Sequence, residues 1–129
     1  MHIEHVAIWT QDLERLKTFY ETYFEACSND KYTNPGKQFQ SYFLTFASGA
    51  RLELMHVPTL IDRAGDSTGQ PAGYSHLAFS VGSPERVDSL TECLRRDGHR
   101  VVSAPRRTGD GYYESCVLDC DGNRVEIIA

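Results

Sequence analysis

The stretch Asp119-Cys120-Asp121-Gly122-Asn123-Arg124-Val125-Glu126-Ile127-Ile128-Ala129 decides how the rest of the chain is read. Asp-Gly-Asn is turn chemistry: Gly and Asn accept positive φ, and an Asx side chain can bond its own backbone. The residues after the turn alternate, Val125 and Ile127 on one face and Arg124, Glu126 and Ile128 on the other. That is the pattern of a half-buried strand. Glu126 is the anomaly, because a carboxylate between β-branched residues in a strand must find water, a cation or a metal.

The same pattern occurs earlier in the chain. Gly49-Ala50-Arg51-Leu52-Glu53-Leu54-Met55 matches Gly122 to Ile128 at an offset of 73 (126 − 53). His5-Val6-Ala7-Ile8-Trp9 matches His76-Leu77-Ala78-Phe79-Ser80 at an offset of 71 (76 − 5). Each histidine strand is followed by a helix signal. Asp12 caps a segment running to about Phe24, with Leu13, Leu16, Phe19, Tyr20 and Tyr23 at helical spacing. Ser83-Pro84-Glu85 places a cap before a proline at the first helical position, and Val87, Leu90 and Leu94 follow until Gly98. His, helix, Gly and Arg-x-Glu in one order twice is a duplication, the strongest organising signal in the chain.

Between helix and closing strand, residues 29–37 read as a turn-rich stretch and 38–47 as a strand rich in Phe and Tyr. In the second half, Val101-Val102 is a short strand, 105–111 a loop and 112–118 a strand. Each half is thus strand, helix, then two or three strands. The predicted organisation is a single α+β domain over 1–129, built of modules at about 1–57 and 74–129. A linker or flap rich in Pro and Gly, 58–73, joins them.

Composition narrows the function. Of 129 residues, 40% are hydrophobic and 24% charged, as in an ordinary globular protein. Thirteen basic against 18 acidic residues give −5, with no basic patch, so nucleic acid is not an expected partner. No apolar run approaches about 18 residues and no charged-then-apolar leader is present, so neither a membrane nor a secretory role is expected. Cys27, Cys93, Cys116 and Cys120 have neither CxxC spacing nor scaffold density, which predicts reduced thiols and a cytoplasmic location.

The facing of the strands points to a site. Val6, Ile8, Leu77 and Phe79 suit a helix-covered face. The other face carries His5, His76, Glu53 and Glu126, with small Ala7 and Ala78 beside them. Two imidazoles and two carboxylates are a metal-site composition of nitrogen and oxygen donors. Taken singly, each histidine suits a hydrogen-bonded strand residue. Each glutamate suits a solvated partner of Arg51 or Arg124, worth at most about 1 kcal/mol. Jointly, four coincidences favour the metal. His2, His56 and His99 lie outside the repeat and read as structural.

With these motifs in hand, the chain resembles the vicinal oxygen chelate superfamily, in its glyoxalase I (lactoylglutathione lyase)-like branch. The resemblance rests on His5-Val-Ala-Ile-Trp9, Leu52-Glu53-Leu54, His76-Leu-Ala-Phe-Ser-Val81 and Asp119-Cys-Asp-Gly-Asn-Arg-Val-Glu126. Cys120 stands where the last motif commonly has proline. The resemblance implies two βαβββ modules in a curled, mostly antiparallel sheet with helices on its convex face. It also implies His5, Glu53, His76 and Glu126 as ligands of one divalent ion: nickel, cobalt, zinc or manganese. Glu53 favours glyoxalase I over the epimerases, which usually carry Gln there, and over the three-ligand dioxygenases.

The implied chemistry is proton transfer through an enediolate on a thiol adduct of a 2-oxoaldehyde. Glu126 is the first choice of base, and Glu53 shares the role by symmetry. A non-catalytic protein binding an antibiotic-type planar molecule is the reading from a different class, and an acyl-CoA epimerase is a third. Arg106-Arg107 reads as a solvated loop, or as an anchor for an acidic substrate tail. The helix bearing Phe19, Tyr20 and Tyr23 offers more apolar surface than one module covers, which predicts a homodimer.

Overall fold

The computed structural model describes residues 1–61 and 72–129; the central part of the predicted linker, 62–71, lies outside the described residues. The chain divides into two compact units, Met1–Gly65 and Asp66–Ala129.

In unit 1, β1 (His5–Trp9) leads into α1 (Leu13–Phe24), followed by β2 (Cys27–Ser28), β3 (Tyr32–Asn34), β4 (Phe39–Thr45) and β5 (Arg51–His56). The sheet order is β1-β5-β4-β2, with β3 also on β4. β1 and β5 run parallel and the remaining pairs antiparallel. The Asp12 side chain accepts from Arg15 N at 3.0 Å and caps α1 as its sequence predicts. Leu13, Leu16, Phe19, Tyr20 and Phe24 form the buried stripe of the helix, which packs on β4 and β5 over Leu44, Leu52 and Leu54. A fully buried leucine of this kind contributes about 1.5–3 kcal/mol of transfer free energy.

On the outer side of α1, Glu14 accepts from Lys31 Nζ at 2.6 Å and from the Tyr42 hydroxyl at 2.9 Å. These bonds, that from Lys31 first, lower its carboxyl pKa from 4.5 to about 2.

Unit 2 repeats the plan. β6 (His76–Ser80), α2 (Pro84–Arg96), β7 (Val101–Arg107), β8 (Tyr113–Leu118) and β9 (Arg124–Ile128) form a sheet of order β6-β9-β8-β7. β6 and β9 are the parallel pair. Ser83 caps α2, Pro84 opens it, and Gly98 follows its end at φ +89°. Val87 and Leu94 bury against Val117, Val125 and Ile127. Thr91 and Ser115 face each other there across 2.6 Å, each meeting the other's polar requirement inside the core.

The turn before β9 is built by one carboxylate. Asp119 Oδ1 accepts from Asp121 N and Asn123 N, both at 2.9 Å, and its Oδ2 accepts from Asn123 Nδ2. Gly122 takes φ +81° within it, a region costly for a residue with a Cβ. Val125 and Ile127 are then fully buried while Glu126 is not.

The structure confirms the α+β class and the two modules, unit 2 as βαβββ and unit 1 as the same plan with one further short strand, and corrects three local expectations. Residues 27–34, read mostly as turns, include two short strands that pair with β4. The second half's short strand and loop are one strand, β7, continuing through Pro105 to Arg107. Pro105 is tolerated because β7 is the edge of its sheet and is irregular there, with register shifts between Val101 and Arg106. Phe19 and Tyr20 are buried within the chain, and of the three aromatic residues expected to form an apolar helix face Tyr23 alone stays partly exposed. No helix among the described residues is long and apolar enough to cross a membrane, and all four cysteines are free thiols.

Candidate functional site

Strand pairing places a histidine and a glutamate together in each unit. Residues in register on neighbouring strands point to the same side of a sheet. In unit 1 the parallel register sets His5 beside Arg51 and Ala7 beside Glu53, so His5, Ala7, Arg51 and Glu53 share one face. That face lies opposite Leu52 and Leu54, which are buried. Ala7 lacks the bulk to keep the two larger side chains apart. His5 Nε2 comes to 3.7 Å from Glu53 Oε2, with the side chains 41% and 14% exposed.

Phe43 is in register with Glu53 on β4 and meets the His5 ring edge-on at 5.4 Å. The Arg51 guanidinium lies over the Phe43 ring at 4.2 Å. Glu4 accepts from His5 Nδ1 and from Arg51, and these two bonds, the first the larger, hold its carboxyl below the usual 4.5.

Unit 2 has the same frame with different filling. His76 pairs with Arg124 and Ala78 with Glu126. His76 Nε2 lies 3.1 Å from Glu126 Oε2, with the side chains 38% and 21% exposed. Cys116 occupies the place of Phe43, in register with Glu126 on β8. Its burial pushes the thiol pKa up. Ser75 occupies the place of Glu4, its Oγ 3.3 Å from His76 Nδ1. On the same face Arg106 reaches Glu114 at 3.6 Å, so Arg106 is a strand residue with an acidic neighbour rather than part of a solvated loop.

The structure therefore brings the four expected ligands together in pairs: His5 with Glu53, and His76 with Glu126. Among the described residues, no three His, Cys, Asp or Glu side chains are gathered into a ready-made ion cage. The donor chemistry nevertheless fits a divalent cation. Each carboxylate lies beside an imidazole nitrogen, at 3.7 Å in unit 1 and 3.1 Å in unit 2, and Arg51 pairs with Glu4 rather than with Glu53. His56 behaves structurally, with Nδ1 2.9 Å from Thr10 O. Glu4, Ser75, Phe43 and Cys116 went unread in the sequence. The signal was there, since 4 and 75 keep the offset of the histidines and 43 and 116 that of the glutamates.

Residues 2–127 match the model of the Glyoxalase/Bleomycin resistance protein/Dioxygenase superfamily. The chain belongs to that superfamily. An uncharacterized protein of Bacillus subtilis (strain 168), YqjT, is 26% identical over 136 residues, covering 98% of either chain. Among solved superfamily structures, glyoxalase I from Zea mays superposes with a TM-score of 0.78 at 22% identity. That match covers 98% of this chain and 44% of the maize chain, so this chain spans under half of that protein. The trypanothione-dependent glyoxalase I of Leishmania major gives 0.77 at 22% identity, over 99% and 86% of the two chains. A glyoxylase/bleomycin resistance protein/dioxygenase domain from Frankia sp. EAN1pec gives 0.81 at 19% identity, over 99% and 96%. At such identities these likenesses establish the fold.

Proposed function

We propose that this superfamily member is a metal-dependent lyase or isomerase of the glyoxalase I kind, acting on the adduct of a 2-oxoaldehyde with a small thiol. The observation that carries the reading is the duplicated pair: one imidazole nitrogen and one carboxylate oxygen facing each other on parallel strands, in both units. In this reading the two modules form one domain, and His5, Glu53, His76 and Glu126 hold one divalent ion, of the nickel, cobalt, zinc or manganese group.

A divalent ion held by these residues would supply electrophilic stabilisation to the substrate, making a proton on the carbon next to its carbonyl removable near neutral pH. The remaining work belongs to side chains. Glu126 takes that proton and returns it to the adjacent carbon, while the hydroxyl proton of the first carbon passes to the former carbonyl oxygen, so the adduct becomes a 2-hydroxy thioester with no net gain or loss of atoms. Glu126 suits this role better than Glu53 because its side chain is the more exposed of the two. General base catalysis of this kind contributes about 10²–10⁴-fold. The protein acts in the cytoplasm as a homodimer in this reading.

A second reading has its own observation. Trp9 and Phe39 meet edge-on at 6.2 Å and Tyr32 adds a third ring, with Trp9 50% exposed on the face that carries His5. Such rings suit a planar molecule bound without catalysis. Loading the protein with each ion and assaying methylglyoxal with several thiols separates the two. Thioester formation supports the lyase. Binding of less than about half an equivalent of ion, with no turnover, supports the binder.

A further inference from the structure

His5 and His76 are equivalent in the duplicated frame but differ in what holds the far side of the ring. His5 Nδ1 contacts the Glu4 carboxylate, which Arg51 also binds. Arg51 rests on Phe43, and Phe43 closes the circuit against the His5 ring. At the matching positions of unit 2 stand Ser75 and Cys116, a hydroxyl and a thiol.

The difference has a chemical consequence. An ionised carboxylate only accepts hydrogen bonds, whereas a hydroxyl donates or accepts. A neutral imidazole against Glu4 must therefore carry its proton on Nδ1, which leaves a lone pair on Nε2. That lone pair faces Glu53 Oε2 across 3.7 Å, too long for a hydrogen bond and an arrangement of two acceptors. A cation between them satisfies both. His76 is under no such constraint. Its Nε2 stands 3.1 Å from Glu126 Oε2, and its Nδ1 faces the Ser75 hydroxyl, which can donate or accept, at 3.3 Å.

We propose that Glu4 is a positioning residue which, anchored by Arg51, keeps the His5 proton on Nδ1 and presets Nε2 as a ligand for a divalent cation. Unit 1 then offers a preset donor pair, while no carboxylate fixes the tautomer of His76, whose Nδ1 faces the Ser75 hydroxyl. This proposal rests on reading His5 and Glu53 as ligands. It adds a residue that no ligand motif contains, and it makes the two halves unequal.

The test uses the metal-free full chain, labelled with ¹⁵N, at pH 8, where an ordinary imidazole is neutral. Long-range proton–nitrogen correlations report which ring nitrogen carries hydrogen. The wild type should show His5 protonated on Nδ1. Glu4→Ala should give a mixture of tautomers, and Glu4→Gln, whose amide oxygen still accepts, should retain the Nδ1 form. Ser75→Ala should leave His5 unchanged. Zinc titration by calorimetry should show Glu4→Ala binding about 10–100-fold more weakly, with Glu4→Gln losing less. A wild type with the proton on Nε2, or a tautomer untouched by Glu4→Ala, overturns the role of Glu4. A wild type that binds no zinc, nickel, cobalt or manganese overturns the ligand reading instead, and the tautomer measurement still decides what Glu4 does to His5.

Discussion

His76 Nε2 and Glu126 Oε2 stand 3.1 Å apart because parallel pairing puts Ala78, a residue without bulk, in register with Glu126. His5 and Glu53 repeat the arrangement at 3.7 Å around Ala7. Both pairs lie on sheet faces opposite buried Leu52, Leu54, Val125 and Ile127, so the polar groups stay out of the apolar core.

The first expectation concerns the proton. Glu126→Gln should lower kcat by about 10²–10⁴-fold while changing KM much less, since the amide keeps an oxygen but loses its basicity. Steady-state kinetics on metal-loaded protein measure this. Near-normal turnover in Glu126→Gln together with a large loss in Glu53→Gln would transfer the role to Glu53.

The ion should depend on all four donors. Single alanine substitutions at His5, Glu53, His76 and Glu126 should each reduce bound metal, whereas His56→Ala should leave it unchanged because His56 is engaged with Thr10 O. Elemental analysis after dialysis reads the stoichiometry. Intact occupancy in all four variants would remove the ligand assignment.

A homodimer of about 29 kDa, twice the 14.6 kDa of one chain, is expected by light scattering. With Phe19 and Tyr20 buried, the large apolar side chains exposed among the described residues include Ile3, Trp9, Tyr32, Tyr74, Val102 and Tyr112. A monomer at micromolar concentration would reject the dimer.

Core and surface should separate cleanly in stability. Leu54→Ala, fully buried beneath α1, should cost about 2–5 kcal/mol. Val102→Ala, exposed on β7, should fall within about 0.5 kcal/mol of the wild type. Urea unfolding followed by circular dichroism compares them, and equal costs would contradict the burial of Leu54.

Acid should weaken unit 1 through Glu14. Its folded pKa of about 2 lies below the ordinary 4.5, so the carboxylate contributes stability above about pH 4.5, and that contribution fades as pH falls toward 2. Because the side chain is more than half exposed, the effect at pH 7 should be under about 1 kcal/mol. Glu14→Gln should therefore flatten the loss of stability between pH 4.5 and 2. An unchanged slope would show that Lys31 and Tyr42 do not hold the carboxylate in solution.

Much of the fold was readable because its signals are local. Asp12 and Ser83 cap their helices through bonds to residues three positions on. Asp119 builds its turn within four residues. The alternation of Val125, Glu126 and Ile127 follows from the two-residue period of any strand. The doubled His and Arg-x-Glu pattern then placed each glutamate on the face of its histidine. Strand extent was less readable: β3 exists by pairing with β4, and β7 runs through Pro105 because its outer edge has no strand to bond.

The sequence by itself determined the duplicated module, the buried and open faces, and the placing of His5 with Glu53 and of His76 with Glu126 on one face each, because these depend on period and spacing along one chain. Only the tertiary structure decided that His5 meets a carboxylate and His76 a hydroxyl, that Phe43 braces one ring while Cys116 stands in the other place, and that one pair lies at 3.7 Å and the other at 3.1 Å. Those relations depend on how far side chains reach across strands whose registers are set by pairing between residues far apart in sequence. Spacing alone does not carry that information.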